Sequence, residues 1–243
     1  INENGLTELT RDLRSSNLLD YNPEYITYAV NLLSDTFDKI LNSESWQVVA
    51  NFSAHKHVRS EKDKISVEAL IKNNVYGAIK LLKLCETNPP EYFFSVSTDK
   101  AANPVNIMGA SKSLMEKLIL SKKSKFRVST ARFANVAFSN GSLLDGFIYR
   151  LQKQQPLSCP SDIKRFFVTP KQSGQICLLA TFLGETGNIF FPKLDFDNDQ
   201  IYFKEIALDF LNENGFEPEL VKSEKEAKEF DFDSNPSKYP IYF

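Results

Sequence analysis

Ser97-Thr98-Asp99-Lys100 sets a hydroxyl, a carboxylate and an ammonium on three successive positions just after an apolar run, Tyr92-Phe93-Phe94-Ser95-Val96. Side chains that donate, accept and carry charge side by side are the equipment of proton transfer, and packing explains them poorly. Asn103-Pro104 and Met108-Gly109-Ala110-Ser111-Lys112 follow, so a second lysine stands near the start of a helical stretch. The spacing Met108-x-x-x-Lys112 keeps both side chains on one helical face. Strand ends in open α/β sheets are where ligands bind, so the segment reads as an active site. Its plain alternative is a surface ion pair of Asp99 with Lys100 behind a strand, and the residues alone weigh the two evenly.

The flanking pattern supplies the elements that must position these groups. Trp46 to Phe52 is a compact apolar run suited to a buried parallel strand, as are Tyr92 to Val96 and Arg127 to Arg132. Between them Val67 to Cys85 reads as a helix that Asn88-Pro89-Pro90 breaks, and Ile107 to Leu120 as another. The basic Lys122-Lys123 end of the latter suits the helix dipole. Leu6 to Leu13 and Pro23 to Leu41 also carry apolar residues at helical spacing. This alternation predicts an α/β fold, a parallel sheet wrapped by helices. Beyond Asn135 the pattern loosens into a helix from about Leu143 to Gln152, Pro156 and Pro160, and a helical segment near Pro170 to Leu183. The charged tail, Lys204 to Phe216 and Ser223 to Phe230, reads as helical. The expected division is a core over 1–135 and a smaller C-terminal lobe over 136–243, capping the substrate, with about 166–192 returning to the core.

Composition sets bounds. With 243 residues the chain can bury a substantial core, and 42% hydrophobic with 25% charged residues is ordinary for globular protein. A formal net charge of −2 gives no electrostatic argument for nucleic acid or an anionic membrane. Cys85, Cys159 and Cys177 are widely spaced, and with only two histidines beside them no metal site is expected. The cysteines read as small hydrophobes in a reducing cytoplasm. No apolar run is long enough to span a bilayer. None of the nine glycines falls in a G-x-G-x-x-G pattern.

The segment Val96 to Leu118, VSTDKAANPVNIMGASKSLMEKL, resembles the signature of the polysaccharide-biosynthesis branch of extended short-chain dehydrogenases/reductases, which contains the UDP-N-acetylglucosamine 4,6-dehydratases. Asn51 to Asp63 (NFSAHKHVRSEKD), Asn73 to Leu82 (NNVYGAIKLL) and Arg132 to Thr169 extend the resemblance in the same order along most of the chain. The resemblance implies a Rossmann-like doubly wound sheet. It also implies that the first strand, Gly-rich turn and helix are missing ahead of Ile1, that relatives continue past Phe243, and that a stretch around Ser15 to Asp20 is omitted.

The implied reaction is dehydration without net oxidation. A hydride leaves C4 of the sugar, the C5 proton and the C6 hydroxyl are lost, and the hydride returns to C6. In that scheme Thr98 hydrogen-bonds O4, Asp99 is the acid at O6, Lys100 the base at C5, and Lys112 holds the nicotinamide ribose. Most relatives carry tyrosine as the O4 base where Met108 stands; methionine transfers no proton, so Asp99, directly or through water, is the substitute. Asp20, Ser53 and Ala54 are implied at the cofactor, and Lys56, Met108, Asn135, Ser142 and Arg165 at the substrate. Ser139, Asn140 and Gly141 lead into a helix start able to bind an anion; for Ser142 the plain alternative is an N-cap, and for Arg165 a solvated turn. His55 and His57 are expected in supporting roles. Asn74 is implied to brace the site through backbone contacts. The expected partners are bound NAD, favoured over NADP, a UDP-sugar, and further copies of the chain, in the cytoplasm. Two alternatives stand beside the dehydratase: an epimerase sharing the 4-keto chemistry, and a non-catalytic nucleotide-sugar-binding protein.

Overall fold

The computed structural model describes residues 2–16, 24–57, 61–121 and 125–243. Asp20, the stretch following Ser16, and Lys122-Lys123 lie outside the described residues. At the centre are four parallel strands, β1 (Val48–Asn51), β2 (Tyr92–Val96), β3 (Arg127–Ala131) and β7 (Ile189–Phe190), in the order β1-β2-β3-β7. Side chains alternate between the two faces. Val49, Phe93 and Val128 are in register on one face and meet Leu81, Leu82 and Cys85 of helix α4 (Gly77–Thr87) and Met115 and Ile119 of helix α5 (Ile107–Ser121). Phe94 and Ala131 pack on the other face against Cys177 and Ala180 of helix α7 (Pro170–Leu183). A sheet flanked by helices on both faces is the doubly wound arrangement expected.

The N-terminal third departs from its periodicity. Helix α1 (Glu3–Ser15) forms, but among the described residues of the Pro23 to Leu41 run only Asp35 onward is helical, as α2 (Asp35–Asn42). Local side-chain bonds stop the helix from extending backward: Asn31 Oδ1 accepts from Leu33 N at 2.8 Å, and Ser34 caps α2 through Phe37 N. Such bonds favour turns over helix. The expected Val67 to Cys85 helix is three pieces, α3 (Lys64–Ile71), one π-helical turn (Lys72–Tyr76) and α4. Asp63 caps its start by accepting from Ser66 N at 2.8 Å.

After Ala131 short strands appear that the sequence pattern did not announce. Strands β4 (Asn135–Val136), β6 (Lys164–Val168) and β8 (Gln200–Tyr202) make one small sheet, β6 parallel to β4 and antiparallel to β8. Strands β5 (Leu157–Ser158), β10 (Lys238–Tyr242) and β9 (Glu217–Leu220) make another. Two or three residues, as in β4, β5 and β8, are too few for periodicity to register. Helices α6 (Leu143–Gln152), α8 (Phe203–Glu213) and α9 (Glu224–Lys228) pack here, and Leu144, Phe147, Leu157, Leu211, Tyr239 and Ile241 form a second core. Between β6 and β8 the chain runs back through α7 to β7 beside β3.

Truncating Phe93, fully buried between β3 and the helices, should cost about 3–5 kcal/mol in urea unfolding. Val105→Ala, at a residue 89% exposed, should stay within about 0.5 kcal/mol of wild type; equal effects would contradict this core.

Candidate active site

At the end of β2 the chain turns sharply. Ser97 N still bonds Ala131 O at 2.8 Å, continuing the sheet by one residue. Thr98 is extended, its hydroxyl accepts from Lys100 N, and Asp99–Ala101 form a short 3-10 turn. Asp99 Oδ1 collects three donors: Thr98 Oγ1 at 2.9 Å, Lys100 N at 2.9 Å and Lys100 Nζ at 3.1 Å. The Lys100 side chain is 38% exposed and that of Asp99 47%. As it stands this is the strand-end ion pair of the plain reading, and at such exposure it adds little stability.

Helix α5 is seated on that turn. A Cβ at Gly109 would lie 2.7 Å from Lys100 O, so only glycine allows the approach. The helix start is capped from two sides: Glu61 Oε1 accepts from Met108 N at 2.7 Å and Asn106 Oδ1 from Gly109 N at 2.8 Å. The π-helical turn projects Asn74 inward, where it accepts from His55 N at 2.8 Å and donates to His55 O and Ser111 Oγ, each at 3.0 Å. Ser111 Oγ in turn donates to Met108 O at 2.7 Å. One asparagine thus joins the loop after β1 to the first turn of α5, an arrangement consistent with π-turns marking functional sites.

Lys112 is 5% exposed, and its Nζ donates to Val96 O at 3.0 Å. Burial pulls its pKa down to about 8, against the opposing pull of Glu116 one turn on. Glu116 is itself held by Arg132, whose Nε donates to Oε1 at 2.8 Å and whose Nη2 reaches Oε2.

A cavity of about 450 Å³ opens between the end of β2, the start of α5 and the segment around β4. It brings together Ala54, Lys56, Thr98, Lys100, Met108, Lys112, Asn135 and Ser142 from the residues singled out in the sequence. His57, Ser97 and Phe133 join them. Three lysines and no carboxylate line it among the described residues, a field suited to an anionic ligand. Asp99 points instead into an adjoining cavity of about 370 Å³ with Arg132 and Phe166; Phe133 and Ala134 line both. Ser53 lies in a third, with Asn51 and Tyr28. Arg165 lines none of these: it is exposed on β6 rather than in a turn, and its Nη1 bonds Lys164 O at 2.8 Å.

The helix start at α6 differs from the expected anion site. Ser142 is its N-cap, accepting from Asp145 N at 3.1 Å, and Gly141 N is taken by Asp145 Oδ2 at 2.8 Å. The Asp145 carboxylate takes the Gly141 amide and the Ser142 hydroxyl takes that of Asp145, two amides an anion would use. Lys56 Nζ donates to Asn140 O, which draws the loop after β1 across to this segment, and Gly141, at φ +71°, has the His57 ring 2.9 Å from where a Cβ would lie. Asn135 Nδ2 donates to Phe166 O at 3.2 Å, so its amide is shared with β6.

Ser97, Glu61, Gly109 and the Glu116–Arg132 pair escaped the sequence reading. Ser97 and Gly109 stood inside the motif, masked by more reactive neighbours. Glu61 is 47 positions from the amide it caps, and no local pattern reveals such a contact.

Two consequences are measurable. The folded value of Lys112, about 8, lies below its usual 10.5, so between the two the unfolded chain holds a proton the folded chain lacks. Raising pH through that window therefore stabilises the fold. Relative to Lys112→Met, wild type should gain up to about 3 kcal/mol across it; a flat difference would contradict the burial. Gly109→Ala should cost about 1–3 kcal/mol in urea unfolding, although alanine is the better helix former. A neutral outcome would mean the helix does not rest on the Lys100 carbonyl.

Comparison with known proteins agrees with this architecture. The family model described as polysaccharide biosynthesis protein matches residues 2–228. An uncharacterized membrane protein of Methanocaldococcus jannaschii is 30% identical over 229 residues, covering 91% of this chain and 66% of the relative. Among the described residues of this chain no helix is long and apolar enough to cross a membrane. The structure of Pen from Bacillus thuringiensis superposes with a TM-score of 0.75 at 19% identity, over 98% of this chain and 66% of Pen. That of DesIV, a dTDP-glucose 4,6-dehydratase from Streptomyces venezuelae with NAD and TYD bound, gives 0.68 at 16%, over 93% and 69%. The chain thus spans about two thirds of the length of each. With a family model that covers nearly its whole length, the chain belongs to the polysaccharide biosynthesis protein family, on a doubly wound fold shared with Pen and DesIV.

Proposed function

We propose that the chain is the catalytic part of a nucleotide-sugar 4,6-dehydratase acting on a UDP-N-acetylhexosamine, UDP-N-acetylglucosamine first, in polysaccharide or nonulosonate synthesis. The observation that carries this reading is the convergence of Thr98, Lys100 and Lys112 on one lysine-lined cavity at the C-terminal end of a parallel sheet. NAD, present in the DesIV structure, fits as cofactor: Lys112 Nζ has one backbone acceptor, at Val96 O, and N–H donors to spare. When bound it would supply hydride acceptance at C4 and return at C6.

The protein's own groups handle the protons. Thr98 hydrogen-bonds O4. Lys100 Nζ donates to Asp99 Oδ1 at 3.1 Å. As hydride leaves C4, Asp99, directly or through water, takes the O4 proton and then gives it to the departing C6 hydroxyl, which leaves as water. Lys100, as the amine, takes the C5 proton and returns a proton to C5 once hydride is back at C6, so both groups end in their starting forms. The two side chains serve cavities that adjoin at Phe133 and Ala134, so C5 would face Lys100 and C6 the Asp99 side. The nucleotide would extend along β4 and β6, towards Asn135 and Arg165. A nucleotide-sugar substrate and the free, buried Cys85, Cys159 and Cys177 support a cytoplasmic location. The exposed Tyr76, on the π-helical turn, and Leu114, on α5, are the residues on which a second copy would pack.

A second reading follows from the separation of Asp99 from the Lys112 cavity: without the C6 acid, the same 4-keto chemistry gives a C4 epimer. Proton NMR of UDP-N-acetylglucosamine with the full-length protein and NAD⁺ in D₂O separates the two. A 4-keto-6-deoxy sugar deuterated at C5 is expected; an epimer would replace the dehydratase, and bound but unchanged sugar would leave only a binding protein. Asp99→Asn should stop water loss, and Lys100→Ala should slow C5 exchange by at least about a hundredfold. Normal exchange in the latter removes it as the base.

A further inference from the structure

Ser97 Oγ is buried, in a residue 6% exposed, and has no hydrogen-bond partner. The other such oxygen among the described residues, Asp38 Oδ1, is ion-paired with Lys80. Buried hydroxyls are almost always bonded, because an unmade bond forfeits what water would have supplied. Ser97 also lines the 450 Å³ cavity, between Thr98 and the Val96 carbonyl that holds Lys112 Nζ. Its backbone N–H is already committed to Ala131 O, so the hydroxyl is the part of Ser97 left to act. A neighbour with the right geometry would have been satisfied within the protein, as Ser95 Oγ, Ser111 Oγ and Ser129 Oγ are.

We propose that the Ser97 hydroxyl donates a hydrogen bond to an acceptor oxygen of the ligand filling this cavity, making Ser97 a ligand-contacting residue that works beside Thr98. The inference rests on the nucleotide-sugar reading of the cavity. The acceptor is a hydroxyl or carbonyl oxygen, supplied either by the nicotinamide half of the cofactor or by the hexose.

Ser97→Ala and Ser97→Thr in the full-length protein test it, through the ligand-free melting temperature and calorimetric affinities for NAD⁺, UDP and UDP-N-acetylglucosamine. Because the hydroxyl has no partner inside the protein, Ser97→Ala should melt at or above the wild-type temperature without ligand. It should nonetheless bind one ligand about three- to tenfold more weakly, with recovery in Ser97→Thr. Weakened NAD⁺ assigns the bond to the cofactor; weakened UDP-N-acetylglucosamine with unchanged UDP assigns it to the sugar. Unchanged affinities for all three overturn the proposal. So does a lower ligand-free melting temperature with parallel loss of every ligand, which is the mark of a structural role. A wild-type protein that binds neither NAD⁺ nor the UDP ligands refutes the reading of the cavity itself, and the Ser97 inference falls with it.

Discussion

Burial of the Lys112 ammonium constrains the whole site. A charge held away from water is costly unless its surroundings replace the lost hydration, and here they do so unevenly. Val96 O takes one N–H, Met115 Sδ lies 3.8 Å away, and Glu116 offers opposite charge one turn along. Glu116 is in turn held by Arg132, and Arg132 N bonds Phe190 O at 2.7 Å on the far strand. Lysine, helix and three strands are therefore locked in one relation. Helix α5 has to lie across the end of β2, and Gly109 is what allows it to sit down on the Lys100 carbonyl.

With the helix fixed, the reactive turn acquires two sides. Thr98 and Lys100 look into the lysine-lined cavity, Asp99 into its neighbour, and the Asp99–Lys100 contact bridges them. Met108, 5% exposed, lines the lysine-lined cavity without adding a titrating group.

Much of this was legible in residue order. The apolar runs around Phe52, Phe94 and Val128 located the sheet, and the Thr98-to-Lys112 motif located the cavity. Helices with strong caps, such as α7 behind its Thr169–Gln172 capping box, appeared where their periodicity placed them. What did not show was long-range or very short. Glu61 acts through a contact 47 positions away, and β4 and β5 are two residues each. Pro23 to Leu41 misled because its apolar spacing carried no information about the Asn31 and Ser34 side-chain bonds that hold the turn. The facing of Asp99 away from Lys112 could not be read from adjacency in the chain, because a 3-10 turn sends successive side chains to different sides.

The most direct measurement follows a label through the proposed chemistry. UDP-N-acetylglucosamine deuterated at C4 is converted by the full-length protein in ordinary water, and the product is read by deuterium NMR. Deuterium recovered in the C6 methyl group is the expected result, since it requires the sugar to be oxidised at C4 and reduced at C6 within one closed site. Deuterium still at C4, whether in unchanged sugar or in its epimer, would contradict dehydration at this site.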